Sequence, residues 1–286
     1  MNRSAEAGLL ALDVGSSRVK LGWFPPRVAC TSEARPSTLP IAASGLPHPE
    51  SALAITHRDV PPGDLTREIE RWLEPIAWQG SRCFVASVCP EVNRSIKELF
   101  GSQMRLLAHT DLPLDVRVDQ PEQVGIDRLL CVVAANRLRR PGQIVVTISV
   151  GTAITVNLAA ADGAFEGGAI FPGLGISAAS LRVGTSTLPQ LSASTIEAPP
   201  DPVGKSTSAA IKAGLYWGAV GAIRQLARLQ LQSTPLRTKD IDQLQMFVTG
   251  GNAKLLVEHL DIDGIPARHV PHMVLAGIAI TAEALS

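Results

Sequence analysis

No sign of charge predominates in this sequence: 26 acidic residues balance 26 basic ones, and charged residues make up only 18% of the chain. A protein that binds a phosphodiester backbone or an anionic bilayer needs a surplus of lysine and arginine. No dense Lys/Arg run supplies one locally, so neither nucleic acid nor a membrane surface is an expected partner. Cysteine is scarce too. The four cysteines, Cys30, Cys83, Cys89 and Cys131, include no C-x-x-C pair and no metal-ligand spacing. His269 and His272 stand three apart, but without a carboxylate or thiolate beside them they do not make a metal site. Long apolar runs are also missing, because Gly or a charge interrupts each one before about 18 residues, the minimum for a spanning helix. The opening MNRSAEAG is too short and polar to act as a secretory signal. These absences leave a reduced, soluble, cytoplasmic protein as the expectation.

What is present is apolar material for more than one core: 45% of the 286 residues are hydrophobic. LLALDV, GSS and RVKLGWF, at the start, read as strand, tight turn and strand. Pro and Ser crowd residues 25–62, which predicts irregular connections around short strands. Apolar residues at helical spacing follow (Leu65, Ile69, Trp72, Leu73, Ile76), then a buried strand over 83–88 and a helix over 93–100. VGIDRLLCVVAANRLR predicts a helix ending before Pro141-Gly142. QIVVTISVGTAITVNLAA then repeats the opening pattern. Leu12-Asp13-Val14-Gly15-Ser16-Ser17 lies over Ile148-Ser149-Val150-Gly151-Thr152-Ala153, roughly 135 residues later, and suggests duplicated α/β halves facing one another. FEGGAIFPGLGISAASLRVG reads as strand, glycine turn and helix. Residues 206–231 form a long helical stretch whose Gly214, Gly218 and Gly221 predict close helix packing. MFVTGGNAKLLVEHL is strand, Gly-Gly turn and helix, and an apolar helix closes the chain over 273–285.

Three turns and one helix start carry candidate chemistry. At the first turn, Gly15 can take a positive φ and has no side chain, so backbone amides can approach phosphate oxygens. Ser16 and Ser17 add hydroxyl donors, Lys20 adds a point charge, and Asp13 at the strand end is placed to hold Mg²⁺. An ordinary hairpin turn with solvated Asp and Lys has the same local pattern. The second turn, around Gly151 and Thr152, offers another phosphate cradle. Two such loops on facing domains suit a clamp on a triphosphate. The third, Thr249-Gly250-Gly251-Asn252, offers a flat glycine surface for an adenosine, or a plain strand-to-helix connection. Gly125-Ile126-Asp127-Arg128 sets a carboxylate beside an arginine at a helix start. Asp127 could accept a hydroxyl proton and Arg128 could pair with a substrate carboxylate or the migrating phosphoryl group; a helix N-terminus and a surface ion pair would look the same. Gly204-Lys205-Ser206-Thr207 resembles the end of a Walker A loop, but Pro199 stands where the first glycine is required, so it reads as a helix N-terminus capped by Ser206 or Thr207.

The order of these motifs is more specific than any one of them. Asp13 to Lys20, Pro121 with Gly125-Ile126-Asp127-Arg128, Gly151-Thr152-Ala153-Ile154-Thr155, Gly167-Gly168 through Pro172-Gly173, Thr185-Ser186-Thr187-Leu188-Pro189 and Thr249-Gly250-Gly251 together resemble the type III pantothenate kinase family over nearly the whole chain. The resemblance implies two facing, duplicated actin-like (ribonuclease H-like) domains, here residues 1–124 and 125–286, with a nucleotide cleft between them. It further implies a homodimer, ATP with Mg²⁺, a monovalent cation (K⁺ or NH₄⁺), and phosphorylation of pantothenate in coenzyme A synthesis. Carried over by position, Asp13, Val14, Gly15, Ser16, Ser17, Arg18, Lys20 and Thr152 would bind ATP. Gly125, Ile126, Asp127, Arg128 and Thr185 would hold pantothenate, with Asp127 as proton acceptor. Asp13 would be the Mg²⁺ position and Ser149 the monovalent-cation position.

Three departures from the family pattern stand out. Ser149 occupies the place of an Asp that is the expected K⁺ ligand, and a neutral hydroxyl is the weaker oxygen ligand, which leaves the cation requirement open. Val118 stands where a Tyr contacts pantothenate. The first turn reads G-S-S where G-N-T is commoner, a change that keeps polar donors. Two rivals follow: a non-catalytic relative that has kept the fold, and a kinase of the same fold acting on a sugar or polyol.

Overall fold

The computed structural model describes residues 8–26, 45–58, 60–234 and 244–286. The chain divides into two units, the first made of residues 1–114, 119–138 and 272–286, the second of residues 115–118 and 139–271.

In the first unit, β1 (Leu9–Val14) is buried at every position. It turns back into β2 (Arg18–Phe24), and β3 (Ser51–Thr56) adds to that strand. After α1 (Pro62–Leu73), β4 (Arg82–Ser87) pairs parallel to β1, and after α2 (Pro90–Phe100) the short β5 (Met104–Leu106) pairs parallel to β4. The sheet order is β3-β2-β1-β4-β5. Period-two alternation gives β1 two different faces. Leu10, Leu12 and Val14 join Leu65, Ile69 and Leu73 of α1 and Ile96 and Phe100 of α2 in one core. Leu9, Ala11 and Asp13 point to the opposite face. The α3 helix (Ile126–Leu138) lies on that side and is buried over most of its length.

The second unit repeats the plan. β6 (Ile144–Val150) and β7 (Ala153–Ala159) form a hairpin, and β8 (Phe165–Pro172) is the third antiparallel strand. After α4 (Leu174–Val183) and α5 (Thr207–Gln232), β9 (Leu244–Thr249) pairs parallel to β6. The one-turn α6 (Ala253–Leu256) and the small β10 (Asp261–Ile262) and β11 (Ile265–Pro266) ribbon follow. Then β12 (Arg268–His269) adds parallel to β9, giving the order β12-β9-β6-β7-β8. Read from the edge antiparallel strand inward, both sheets have the same connectivity, so the duplication suggested by the repeated strand-turn-strand is real in the topology. The even positions of β6 pack with α4, α5 and α6, while Thr147, Thr155, Asn157 and Thr249 are buried on the other face of this sheet. Asn157 Nδ2 donates to the Thr147 and Thr155 hydroxyls at 3.3 Å each, so those polar groups are not left unpaired.

The chain's last helix, α7 (Met273–Ala284), belongs with the first unit, packed on α3 and β1. A Cβ on Gly277 would stand 2.3 Å from the Leu130 carbonyl oxygen, which measures how closely the two helices cross. Helices α3 and α7 therefore group with the first sheet, whereas the motif order puts residues 125–286 in one C-terminal domain. Conversely, residues 115–118 go with the second unit. The Phe165 amide donates to Asp115 and the Arg117 amide donates to Phe165, while the Arg117 guanidinium reaches Asp115, Asp162 and Glu166 at 2.5–3.1 Å.

Two local expectations need correction. Gly214, Gly218 and Gly221 mediate no close packing among the described residues of one chain, because a Cβ at any of them would meet none of these within 4 Å. They lie on the exposed side of α5, where glycine only weakens the helix. The helix after the Gly-Gly turn is also shorter than its apolar pattern suggests, continuing beyond Leu256 only as a 3₁₀ turn. Ser206 does cap α5, accepting from the Ala209 amide at 3.2 Å. Cys30 lies outside the described residues; Cys83, Cys89 and Cys131 are free thiols.

Candidate active site

The first hairpin sets Asp13 directly across from Lys20 in the antiparallel register. Both side chains therefore leave the sheet on the face covered by α3. The Lys20 ammonium donates to Asp13 Oδ2 at 2.8 Å. Asp13 is only 3% exposed. The charge of Asp13 is the main reason that the Lys20 ammonium is held above its ordinary range, against the opposing effect of burial. Asp127 opens α3 and belongs to the same electrostatic cluster. Burial pushes its carboxyl above the usual carboxylate range, and the negative charge of Asp13 pushes further. A main-chain hydrogen bond from Arg128 and the charges of Lys20 and Arg128 pull the other way. An acid whose proton affinity is raised by a second acid, with a lysine in the same cluster, is the pattern of a site built to handle a proton or a cation.

Gly125 explains how Asp127 is placed. A Cβ there would stand 2.7 Å from Asp127 Oδ1, so any other residue would push the carboxylate aside. One turn after Asp127, Cys131 is buried, and burial first, then the charges of Asp127 and Asp13, raise its thiol far above its normal range. It is a neutral member of the same cluster. The i, i+4 spacing within the helix could have found it.

The turn itself is held from several sides. The Gly15 amide donates to the Arg18 carbonyl at 3.0 Å, and the Val88 amide, just beyond β4, donates to Val14 at 2.9 Å. Gly15 does not use the positive φ open to it, and Gly151 has none either. In the second unit the unusual backbone lies one turn further on: Gly250 has φ +105°, and a Cβ there would stand 2.5 Å from the Val150 carbonyl oxygen. The Asn252 amide bonds the same Val150 carbonyl at 3.1 Å. Gly173, at the start of α4, donates to Thr152 at 3.0 Å and has no room for a side chain against Gly151 and Thr152. The turns at 151–152, 173 and 250–252 thus converge on one end of the second sheet, a crowding of main chain that only glycine permits.

A profile of type III pantothenate kinases matches residues 9–229. The chain belongs to that family. Relatives named type III pantothenate kinase include one from Persephonella marina, 30% identical over 71% of this chain and 81% of its own length. Another, from Rhodopirellula baltica, is 35% identical over 60% of this chain and 59% of its own. This chain spans 65% of the Phenylobacterium zucineum relative. Among solved structures, the archaeal actin homologue Ta0583 superposes with a TM-score of 0.51 at 11% identity, covering 97% of this chain and 99% of that one. A conserved Campylobacter jejuni protein described as of the Baf family gives 0.57 at 15% identity, over 96% and 98% of the two chains. The fold is accordingly that of actin-like ATPases.

For a type III pantothenate kinase the positions expected to bind ligands divide by what they can present. Val14 and Ile126 are buried, so they can offer a ligand only main-chain groups. Ser16 and Arg18 are exposed on the turn. Burial holds the Arg128 guanidinium below its ordinary range, opposed by the charge of Asp127. Ser149, in register with Thr155 and Thr249 on its neighbouring strands, lies in a row of hydroxyls across the second sheet. Thr185 follows α4, where its hydroxyl donates to Leu181 at 2.6 Å. Val118, in place of the family's Tyr, lies against Gly167, whose Cβ would come 3.6 Å from its Cγ1. Asp13, Lys20, Asp127 and Cys131 are therefore brought together within the first unit, and Ser149, Thr152 and Thr185 all lie in the second.

Proposed function

We propose that the protein transfers the γ-phosphoryl group of ATP to the 4′-hydroxyl of pantothenate, the first step of coenzyme A synthesis, as a cytoplasmic homodimer. One observation carries the reading: a half-buried carboxyl, Asp127, with raised proton affinity stands in the same cluster as the Asp13–Lys20 pair, in a chain that belongs to this kinase family. Among the described residues no helix is long and apolar enough to cross a membrane.

On this reading Asp127 accepts the proton of the acceptor hydroxyl as the oxygen attacks phosphorus, and its raised pKa makes it a stronger base than a solvated aspartate. Arg128 pairs with the pantothenate carboxylate, beside the main chain at Gly125 and Ile126, and Thr185 is a further pantothenate position. Asp13 to Lys20 and Thr152 receive the nucleotide. The donor set suits Mg²⁺, which needs one or two carboxylates besides phosphate oxygens and water, and Asp13 would hold it. Mg²⁺ would supply charge neutralisation at the phosphates. No group of three or more metal-ligating side chains occurs among the described residues. Ser149 is the position for a monovalent cation.

The test is direct. Purified protein with ATP, Mg²⁺ and pantothenate, with and without K⁺ or NH₄⁺, yields 4′-phosphopantothenate by mass spectrometry. D127N lowers kcat by about 10²–10⁴-fold while ATP still binds. Absence of product under every cation overturns the kinase reading, and nucleotide binding without turnover that D127N leaves unchanged favours the non-catalytic relative.

A further inference from the structure

His57 lies 42 residues from Gly15 in sequence, yet its ring nitrogen Nε2 is 2.8 Å from the Gly15 carbonyl oxygen. A carbonyl can only accept, so Nε2 carries the hydrogen and the ring donates. The β2–β3 register explains how His57 reaches the turn. Arg18 pairs with Thr56, so the next residue outward, His57, stands opposite Ser17, and its main-chain amide donates to the Ser17 carbonyl at 3.1 Å. The Arg18 carbonyl is taken by the Gly15 amide. Three of the four carbonyls in the turn are thus held by donors of the protein, two of them by His57.

The consequence follows from peptide geometry. In a trans peptide the C=O and N–H of one plane point in opposite directions. A Gly15 carbonyl fixed on the imidazole therefore aims the Ser16 amide to the side away from His57. Released, the same plane can rotate and present its oxygen where the amide had been. For an anion this exchanges an attractive dipole for a repulsive one.

We propose that His57 is a positioning residue for the nucleotide phosphates, holding back the Gly15 carbonyl so that the Ser16 amide faces the ligand. The inference rests on the kinase reading for the identity of the ligand. It adds a side chain that no turn motif contains and that only the third strand of the sheet delivers.

The test separates the donor from the ring's bulk. H57F keeps an aromatic ring without a donor, and H57Q restores an N–H at a similar reach. The expected result is a KM for ATP raised about tenfold in H57F, the effect of losing one polar contact. The KM for pantothenate and the urea midpoint stay within about twofold of wild type, and H57Q recovers most of the loss. An H57F enzyme with wild-type KM for ATP overturns the proposal, as does equal impairment of H57F and H57Q, or a parallel rise in both KM values. Calorimetric titration with ADP keeps the two readings apart. Should the wild type make no phosphopantothenate yet bind ADP more tightly than H57F, the kinase reading falls and His57 keeps its role; a wild type that does not bind ADP overturns both.

Discussion

Asp13 and Lys20 face each other across the first hairpin with the ammonium 2.8 Å from Oδ2, the carboxylate side chain 4% exposed and the lysine 40%. The pair is lopsided: the acid cannot reach water, whereas the base can. Removing the lysine therefore strands a buried negative charge, and removing the acid merely frees a cation into solvent.

K20M should lower stability by about 1–3 kcal/mol, toward the lower end because the lysine is partly screened by solvent. D13N/K20M should recover part of that loss. Urea denaturation of the wild type and the two variants measures both. The pair also carries a pH signature. Lys20 is raised above 10.5 in the folded state, so its contribution is complete below that value and is lost as pH climbs through the higher folded-state pKa. A K20M midpoint equal to wild type at neutral pH would show that the lysine does not stabilise the buried carboxylate.

Asp127 gives a prediction of opposite sign on pH. Its carboxyl is raised above 3.8, by burial first and the Asp13 charge second, so the ionised base is lost at higher pH than for an ordinary aspartate. The acidic limb of kcat should lie above 3.8. D13N should move the Asp127 titration down, and R128Q, which removes a charge that favours the carboxylate, should move it up. Side-chain ¹³C NMR reads these shifts without requiring turnover. A titration at or below the ordinary value contradicts the assignment.

Glycine substitutions should separate backbone need from helix weakness. G250A places a Cβ 2.5 Å from the Val150 oxygen at φ +105°, and should lose about 2–3 kcal/mol. G218A, exposed in α5 with nothing within 4 Å, should gain about 0.5–1 kcal/mol. Equal effects in a urea titration would refute the contrast.

Ser149 bears on cation dependence. On the proposed reading, wild-type turnover should respond only weakly to replacing Na⁺ by K⁺, since a hydroxyl is a poorer cation ligand than a carboxylate. S149D should strengthen the response. Strong K⁺ activation of the wild type, unaltered in S149D, would remove position 149 from any cation role.

Much of the fold was legible because it rests on local patterns. Strands β1, β2, β6 and β7 announce themselves as short apolar runs around glycine turns, and the repeat of that unit pointed to duplicated halves that the sheet orders bear out. α5 was legible from its period and its Ser206 cap. The glycines were less legible, since a motif records that a residue is small without saying why. The motif shows that Gly15 can take a positive φ, but it is Gly250 that does. Gly214, Gly218 and Gly221 look like a packing stripe, yet none of the described residues comes within 4 Å of a Cβ there.

The sequence by itself determined the elements, their order, and the chemical types of the groups at each turn, because these depend on residues within a few positions of one another. Tertiary structure alone decided which groups share an environment. Asp127 feels Asp13 and Lys20 because α3 lies on the face of β1 that carries Asp13, and His57 reaches Gly15 because β3 pairs with β2 in one particular register. Proximity between residues 42 or 114 positions apart follows from sheet register and helix packing, which no local pattern encodes.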